Sequence, residues 1–297
     1  MDKISVVVNT FNEEKNIKRA LASVLWADEI IVCDMHSDDK TVEIAKKMGA
    51  KIFYHKKTEY VEPARNFAIS KASNDWVLIL DADEEIPEKL VSRLQRMATD
   101  ASTSFVEIPR KNIIFGHFMK ASMWWPDYHI RFFKKGSVVW NTKIHSKPQT
   151  SGTGSKLEAE EELAIIHFNY QTVFQYVNRL NRYTDIEARD LQSAGIKFHW
   201  VDVVEKPLRE FLSRFFANRG FDDGLHGLAL SFLQSFSFLV VYLKLWELQK
   251  FTEEEIDPEK LNQVFRKSGK EICYWLKLID LSQDPIKRFF QKVTNRL

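Results

Sequence analysis

Residues 76–85 constrain the fold of this chain more than any other stretch, because an apolar run of strand length ends directly in acidic residues. Residues 76–80 are Trp-Val-Leu-Ile-Leu, and such continuous apolarity is typical of a parallel strand that is buried on both faces. Alternate residues of an extended chain point to the same face, so Asp81 and Asp83 converge if the backbone stays extended through Ala82. The sequence therefore predicts a strand that delivers two carboxylates to one edge of a sheet.

Two interpretations of Asp81 and Asp83 stay open at this point. Neighbouring carboxylates raise one another's pKa unless a cation lies between them, and Mg²⁺ or Mn²⁺ suits oxygen ligands while leaving positions for substrate phosphates. Alternatively, the two acids cap the helix indicated by residues 86–90, where Pro87 suits a first turn. An Asp-X-Asp tripeptide is too short to decide between a metal site and a helix cap.

Strands and helices alternate along the first ninety residues. The predicted strands are 4–8, 29–33, 51–54 and 76–80, and the predicted helices are 17–24, 40–48 and 63–72. This alternation is typical of a parallel α/β sheet, whose ligands bind at the carboxyl ends of the strands. Asn9, Asp34 and Asp81 each follow a strand, so we expect them at one edge.

The chain lacks the glycine pattern of common phosphate-binding loops. No Gly-x-Gly-x-x-Gly follows the first strand, and the whole chain has only 10 glycines. This argues against a dinucleotide fold and a P-loop. A diphosphate bound at this edge would therefore need a metal ion.

Composition narrows the class of protein further. The 297 residues, 44% of them hydrophobic, are enough for one large domain or two smaller ones, and a net charge of +2 gives no case for nucleic acid. Cys33 and Cys273 make no disulfide framework, so a reducing compartment fits best. Residues 1–8 lack the pattern of a secretory signal, and we expect a cytoplasmic protein.

Four motifs stand out along the first half of the chain: residues 8–13, Asp34 with Ser37, Asp38 and Thr41, residues 64–66, and residues 80–84. Together they resemble the nucleotide-sugar-binding half of the family-2 glycosyltransferases, which have the GT-A fold. Later stretches resemble the subgroup that contains the lipopolysaccharide core β-glucosyltransferases, and the resemblance extends over residues 4–250. It implies an α/β fold with a Rossmann-like, mostly parallel sheet and a helical, membrane-associating region near the C-terminus.

The resemblance also implies a UDP-sugar site. Uridine would be held by Asp34 and by the loop after the first strand, with Asn9, Thr10, Asn12 and Glu13. Arg65 would lie near the diphosphate, and Asp81, Ala82 and Asp83 would carry Mg²⁺ or Mn²⁺ and the ribose. Each residue also has a simpler interpretation: turn residues for the asparagines, a solvated loop acid for Asp34, and a surface charge for Arg65.

Residues 123–136 combine aromatic side chains with Asp127. Aromatic faces and a carboxylate suit sugar recognition, but for Trp124, Phe132 and Phe133 we favour a packed hairpin core. Trp125-Pro126-Asp127 matches an element of the family, and an inverting transfer needs a carboxylate to take the acceptor proton. We therefore predict Asp127 as the general base, with Trp125 and Arg131 on the acceptor side.

Residues 138–146 resemble the Val-His-Glu segment of the family, but Ser146 stands where an acid is usual. If that acid were the base in this subgroup, Asp127 would have to replace it or activity would be in doubt. His145 and His167 are candidates for a third metal ligand or a phosphate contact, or are structural histidines. Arg182 is expected at the rim of the active site or on a salt-bridged outer helix face.

The C-terminal part raises the question of a membrane. Residues 206–220 form a basic amphipathic stretch with three Phe, and residues 227–243 are apolar but short for a bilayer span and carry polar groups. We expect an element that lies in the headgroup region of an anionic membrane on its cytoplasmic face. The alternative is a helix buried on the catalytic domain or in a dimer interface.

The predicted domains are a catalytic domain over 1–200, with donor binding in 1–100 and the acceptor part in 101–200, a membrane-associating region over 201–250, and a helical tail over 251–297. The tail docks on the body, joins protomers or adds a membrane contact. The predicted activity is metal-dependent, inverting transfer of a hexose from a UDP-sugar to a lipid-linked saccharide such as a lipopolysaccharide core. The alternative is a catalytically degenerate, carbohydrate- or membrane-binding scaffold.

Overall fold

The structure is a computed structural model that describes residues 2–58, 62–100, 102–140 and 148–279. The chain divides into two compact units. The first contains Met1–Ile114 and Trp125–Asn169, and the second contains Phe115–Trp124 and Tyr170–Leu297. The functional boundaries predicted at residues 100, 200 and 250 stay predictions.

The helices and strands follow one another closely along the chain. In chain order they are β1 Ile4–Thr10, α1 Ile17–Ala22, β2 Glu29–Asp34, α2 Thr41–Lys47, β3 Lys51–Tyr54, α3 Glu62–Ser70, β4 Trp76–Asp81, β5 Glu84–Glu85, α4 Glu88–Ala98, β6 Phe105–Ile114, β7 His117–Phe118, β8 Asp127–Lys134, β9 Val138–Val139, β10 Gln149–Thr150, β11 Gly154–Lys156, β12 Ile165–Tyr170, α5 Val173–Ser193, α6 Trp200–Leu212, α7 Gly224–Leu248 and α8 Pro258–Ile279. All four strands and all three helices predicted before residue 81 are confirmed.

The main sheet of the first unit is mixed. Its strand order is β3-β2-β1-β4-β8-β6-β12-β5, with β11 beside β6. The pairs β1–β2, β1–β4 and β2–β3 are parallel, whereas β4–β8, β6–β8 and β5–β12 are antiparallel. The α/β fold is confirmed, but the parallel pairs are those of residues 4–81 and the short strand β11, which pairs with β6. Beyond residue 104, no helix separates β6 from β8, and parallel neighbours need such a crossover.

The sequence predicts a backbone that stays extended through Ala82, but the structure has a turn there. β4 ends at Asp81, residues 82–83 form a turn, and β5 begins at Glu84. The N–H of Asp81 donates to Oε2 of Glu84 across this turn, at 2.9 Å. The capping alternative is also wrong, because α4 is preceded by Pro87 and has no side-chain cap.

The core of the first unit lies on both faces of the sheet. Trp76 at the start of β4 stacks on Phe132 of β8, with 4.4 Å between the ring centroids. Phe132 and its neighbour Phe133 are fully buried in separate apolar clusters, so the predicted core role of these two rings is confirmed. The predicted hairpin over 123–136 is instead one strand, β8, whose partners are β4 and β6.

The second unit contains the long helices α5 to α8, and α5 and α6 both pack against α7. Among the described residues, one helical stretch, Gly220–Leu248, has the length and apolarity to cross a membrane, and 28% of its most apolar window is buried within the protein. Leu225, Phe232, Phe236 and Leu243 are exposed at spacings of 7, 4 and 7, which places them on one face of α7. This helix therefore has an exposed apolar stripe.

Candidate active site

Three parallel strands end side by side and bring their polar residues together. In the strand register, Asn9 of β1 lies opposite Asp81 of β4, and Thr10 lies opposite Asp34 of β2. The carboxyl ends of parallel strands meet at one edge of a sheet, where ligands of α/β proteins bind. The structure therefore brings together the predicted residues Asn9, Asp34 and Asp81.

Asp34 connects the end of β1 to the loop after β2 through hydrogen bonds to its carboxylate. Its side chain is fully buried and accepts hydrogen bonds from Thr10 Oγ1 at 2.9 Å and from the N–H of Ser37 at 2.8 Å. Ser37 Oγ donates a further bond, at 2.5 Å. Both carboxylate oxygens are thus engaged within the protein, so Asp34 is the residue that holds Thr10 in place.

The loop after β1 is fixed by backbone donors. The N–H of Asn12 donates to Ser37 Oγ at 2.8 Å, and the N–H of Glu13 donates to Thr41 Oγ1 at 2.7 Å. Asn12 has φ of 56°, a left-handed conformation that Asn adopts more readily than most residues. The predicted loop residues therefore form one hydrogen-bonded unit with the loop after β2.

Asp81 lies between two arginines. Arg65 of α3 donates to Oδ1 at 3.0 Å, and Arg131 of β8 donates to Oδ2 at 2.5 Å. Burial alone would raise the pKa of Asp81, but the charges of Arg131 and Arg65 outweigh it and hold that pKa well below its usual range. Asp81 is therefore an ionised, arginine-bound carboxylate.

Glu84 extends this charge cluster into the protein interior. Its carboxylate is fully buried and lies 2.8 Å from Nη2 of Arg131 and 3.5 Å from Nη1 of Arg110. Burial raises the pKa of Glu84, and the negative charge of Asp81 adds to this effect, against the opposing charge of Arg131. Glu84 and Asp81 thus share Arg131, and each affects the protonation of the other.

Asp83 faces His167 across the turn after β4. Oδ2 of Asp83 lies 3.6 Å from Nε2 of His167 on β12, and the N–H of Phe168 donates to the carbonyl oxygen of Asp83 at 2.9 Å. Ala82 between the two acids is buried. The predicted pair of Asp83 and His167 is therefore brought together by β12, a strand more than eighty residues away in sequence.

Asn112 of β6 determines the tautomer of His167. Nδ2 of Asn112 donates to Oδ2 of Asp127 at 3.1 Å, so its Oδ1 faces Nδ1 of His167, at 2.6 Å. Only a protonated Nδ1 can donate to that carbonyl oxygen. In its neutral form, His167 therefore presents the lone pair of Nε2 to the carboxylate of Asp83.

These contacts fit a divalent metal ion at Asp83 and His167. A carboxylate oxygen and an imidazole nitrogen that face each other at 3.6 Å are close enough to bind the same cation, and metal-bound histidines usually donate their other N–H as His167 does. Within the described ranges, no group of three or more Asp, Glu, His or Cys side chains has the arrangement of a metal site. The remaining ligands would have to be phosphate oxygens and water, as Mg²⁺ and Mn²⁺ commonly accept.

Asp127 begins β8 opposite Arg110 of β6 and is surrounded by donors. Oδ2 accepts from Nε and Nη2 of Arg110 at 2.9 and 2.7 Å, besides Asn112, and Oδ1 accepts from Nε2 of His129 at 2.9 Å. Burial alone would raise the pKa of Asp127, but the hydrogen bond from His129 and the charge of Arg110 hold it far below its usual range. Asp127 is thus ionised and fully hydrogen-bonded.

Two buried side chains at this edge have donors that no described residue accepts. They are Nε and Nη1 of Arg131, whose side chain is 4% exposed, and Nδ2 of Asn9, a residue that is 8% exposed. Buried donors without acceptors are rare in folded proteins and are typical of sites that bind a polar ligand. An anionic ligand with many oxygens would satisfy them.

The other predicted site residues lie in different places. Trp125 lies two residues before β8 and is half-buried, whereas Arg182 is exposed on α5 of the second unit, with its guanidinium 5.4 Å from the Tyr183 ring. His145 and Ser146 lie outside the described residues. The sequence alone did not indicate site roles for Glu84, Arg110, Asn112 and His129. The signal for Arg110 and Asn112 was their spacing of two residues, which places both on one face of β6.

Comparisons with known proteins agree with this architecture. The model of the family described as "Glycosyl transferase family 2" matches residues 5–156. An uncharacterized glycosyltransferase of Rickettsia typhi is 32% identical over 84% of this chain and 88% of its own length. The chain belongs to glycosyl transferase family 2. The protein is therefore a glycosyltransferase, an enzyme that transfers a sugar to an acceptor.

Solved structures with a partial likeness include two transferases. One is the Mycobacterium tuberculosis glucosyl-3-phosphoglycerate synthase in complex with Mn²⁺, UDP and phosphoglyceric acid, which has 25% identity, a TM-score of 0.33, and coverage of 37% of this chain and 44% of its own. The other is a mannosyltransferase of Pyrobaculum calidifontis in complex with GDP-Man and Mn²⁺, with 13% identity, a TM-score of 0.48, and coverage of 98% and 83%.

Proposed function

We propose that this glycosyltransferase moves a hexose from a UDP-sugar to a lipid-linked saccharide such as a lipopolysaccharide core, with inversion at the anomeric carbon and a divalent metal ion. In this proposal, residues 1–100 bind the donor, residues 101–200 bind the acceptor, and residues 201–250 contact the membrane. The observation that carries the donor half is the pairing of Asp83 with His167 beside the arginine cluster of Asp81.

The charges around the strand ends favour a diphosphate. Arg65 and Arg131 both lie against Asp81, and Arg131 still has two buried N–H groups that no described residue accepts. A guanidinium presents several donors in a fixed geometry that matches phosphate oxygens. Asn9, whose Nδ2 also lacks an acceptor among the described residues, adds a donor on β1 for the nucleoside.

Asp83 and His167, with the predicted ligand Asp81, would hold the metal ion. A bound Mn²⁺ or Mg²⁺ supplies charge neutralisation for the departing diphosphate. Asn112 would keep Nε2 of His167 free of a proton, so that its lone pair stays available. Because Asp81 is already bound by two arginines, Asp83 and His167 are the better ligands of the three.

The acceptor side is centred on Asp127. An inverting transfer requires a group that removes the acceptor proton as the new bond forms, and Asp127 is the predicted base. Arg110 and Asn112 fix its carboxylate on β8. The family's usual acid at position 146 is replaced by Ser146, which leaves this function to the Asp127 region.

A donor panel tests the proposal. The purified enzyme would be incubated with UDP-glucose, UDP-galactose or GDP-mannose, with Mn²⁺ or with EDTA, and release of nucleoside diphosphate would be measured with and without a lipid-linked saccharide extract. We expect UDP to be released from a UDP-sugar. This release should require the metal ion and should be stimulated by the extract. Release from GDP-mannose alone, or release unaffected by EDTA, would contradict the UDP-sugar or metal assignment. No release from any donor would favour the scaffold alternative.

We also propose that the second unit binds the surface of an anionic membrane. The support is the exposed apolar stripe of α7, on which Leu225 is 77% and Phe232 57% exposed. Aromatic and aliphatic side chains on one helix face are typical of interfacial helices, and nearby basic residues are attracted to anionic headgroups. An enzyme with a lipid-linked acceptor would thereby be kept close to it.

Vesicle sedimentation tests this surface. We expect the protein to sediment with phosphatidylglycerol-containing vesicles and less with phosphatidylcholine vesicles, and the variant Phe232→Glu/Phe236→Glu to stay in the supernatant. Phe265→Glu is the matched control, because Phe265 is similarly exposed, at 56%, but lies on α8. Binding that is equal for the stripe variant and the control would refute the assignment to α7.

A further inference from the structure

His129 contacts the predicted base Asp127, but the proposed mechanism gives it no role. It lies on β8 two residues after Asp127, so both side chains point to the same face of the sheet. Nε2 of His129 is 2.9 Å from Oδ1 of Asp127, and the imidazole is 39% exposed. An imidazole that is held by a carboxylate at one nitrogen and has no hydrogen bond from a described residue at the other has the arrangement of a catalytic dyad.

The hydrogen bonds decide which nitrogen of His129 carries the proton. Asp127 is ionised and accepts bonds from Arg110 and Asn112, so it can only accept from His129 as well. Nε2 therefore carries the proton, and the neutral ring has its lone pair at Nδ1. No described residue donates a hydrogen bond to that Nδ1, and the imidazole is 39% exposed, so an acceptor hydroxyl can reach the ring.

Asp127 itself is a poor proton acceptor in this environment. Four hydrogen bonds to its two oxygens stabilise the ionised form, and protonation would disrupt them. The efficiency of a general base falls as its pKa falls below the working pH. Burial, together with the charges of Arg110 and Arg131, lowers the pKa of His129 to about 4 against the opposing effect of Asp127. The ring is therefore neutral at pH 7, and it is the stronger base of the two, because the pKa of Asp127 is held lower still.

We infer that His129 takes the proton from the acceptor hydroxyl and that Asp127 acts through it as the positioning carboxylate. The O–H bond of the acceptor breaks and its proton moves to Nδ1 of His129. The oxygen lone pair forms the bond to the anomeric carbon, and the bond from that carbon to the donor phosphate breaks, with its electron pair leaving on the diphosphate. The imidazolium is stabilised by the charge of Asp127 and then loses its proton to water.

This assignment rests on the proposed UDP-sugar transfer and deepens it, because it changes which atom accepts the proton. It also accounts for Arg110 and Asn112, which keep Asp127 ionised and aligned while leaving only Oδ1 for the imidazole. The presence of Ser146 where the family usually has an acid is then no obstacle to activity, because the base lies on β8.

Kinetics of three variants test the dyad. Release of UDP from UDP-glucose with Mn²⁺, with water as the acceptor, would be compared for wild type, His129→Gln, His129→Ala and Asp127→Asn. We expect His129→Gln to lower kcat at least 100-fold while the Kd for UDP changes less than threefold, because a glutamine amide donates to Asp127 but accepts no proton. Added imidazole should restore at least tenfold activity to His129→Ala. His199→Gln is the control, because His199 is similarly exposed and paired with Glu254.

A loss of less than fivefold in His129→Gln, with a large loss in Asp127→Asn, would assign the proton to Asp127 and overturn the inference. A second measurement does not depend on turnover. In ¹⁵N-histidine-labelled protein, with the signal of His129 identified by its absence in His129→Gln, we expect the neutral Nε2–H tautomer at pH 7. A protonated Nδ1 at that pH would refute the dyad. If the wild type neither binds UDP nor releases it, the proposed function fails, whereas the tautomer still reports on the dyad.

Discussion

Glu29 gives a quantitative prediction for the stability of the first unit. This residue begins β2, is 6% exposed, and joins three other segments of the chain. Its carboxylate accepts from Ser5 Oγ at 2.6 Å, from the N–H and Oγ of Ser73 at 2.8 and 2.7 Å, and from Lys51 Nζ at 2.7 Å. Burial alone would raise its pKa, but these donors, Lys51 first, lower the pKa from 4.5 to about 2.

The pKa of Glu29 converts into a free energy of unfolding that depends on pH. Each unit of pKa is worth about 1.4 kcal/mol, and the exposed Lys51 pair is partly screened, so the ionised carboxylate contributes about 2–3 kcal/mol. Because the pKa is lower in the folded state, this contribution is complete above pH 4.5 and is lost as the pH falls towards 2. Glu29→Gln should therefore destabilise the first unit at pH 7 and have a smaller effect at pH 3.

Urea unfolding at the two pH values measures this difference. The transition that releases β1 and β2 would be followed by pulsed hydrogen exchange and mass spectrometry, and we expect Glu29→Gln to lower its midpoint by about 1 M at pH 7. Glu43→Gln is the control, because Glu43 is 58% exposed and pairs only with Lys47 on its own helix. A midpoint for Glu29→Gln equal to that of the control at pH 7, or a difference that does not shrink at pH 3, would refute the reasoning.

Two further predictions concern Asn112 and the second unit. Asn112→Ala should weaken Mn²⁺-dependent binding of UDP about 10- to 100-fold in calorimetry, because His167 loses its orienting partner, whereas Lys111→Ala on the opposite face of β6 should not. Gly227→Ala should lower the melting temperature by about 4–10 °C, because the added Cβ would overlap the carbonyl oxygen of Gly220. Gly269→Ala, with nothing within 4 Å, should leave it unchanged or higher; equal effects at the two glycines would contradict the close packing.

The parallel half of the sheet could be predicted because each of its signals is local. The apolar run that begins at Trp76 ends at a carboxylate, which marks the end of a strand. Gly49, with φ of 82°, follows α2 and marks the end of a helix. The positions of Asn9 and Asp81 at one edge followed from the topology of parallel strands. The turn at residues 82–83 was missed because no Gly or Pro marks it.

The antiparallel half of the site could not be predicted, because it depends on strand register. Whether Arg110 lies opposite Asp127 is decided by the pairing of β6 with β8, which contains an irregularity between Val106 and Glu107. A shift of one residue would have turned Arg110 and Asn112 to the other face. His129 could not be predicted either, because its role depends on the hydrogen bonds that Arg110 and Asn112 donate to Asp127, and these depend on the same strand register.

Binding of UDP with and without a metal ion tests the central claim most directly. Calorimetric titration of UDP into wild type, Asp83→Asn and the exposed-site control Asp100→Asn, each with Mn²⁺ and with EDTA, isolates the proposed metal pair. We predict that wild type and the control bind UDP in Mn²⁺ and that this binding disappears with EDTA. In Mn²⁺, Asp83→Asn should bind UDP at least tenfold more weakly than wild type. Equal binding of UDP by all three proteins, unaffected by EDTA, would contradict the metal-dependent donor site at Asp83 and His167.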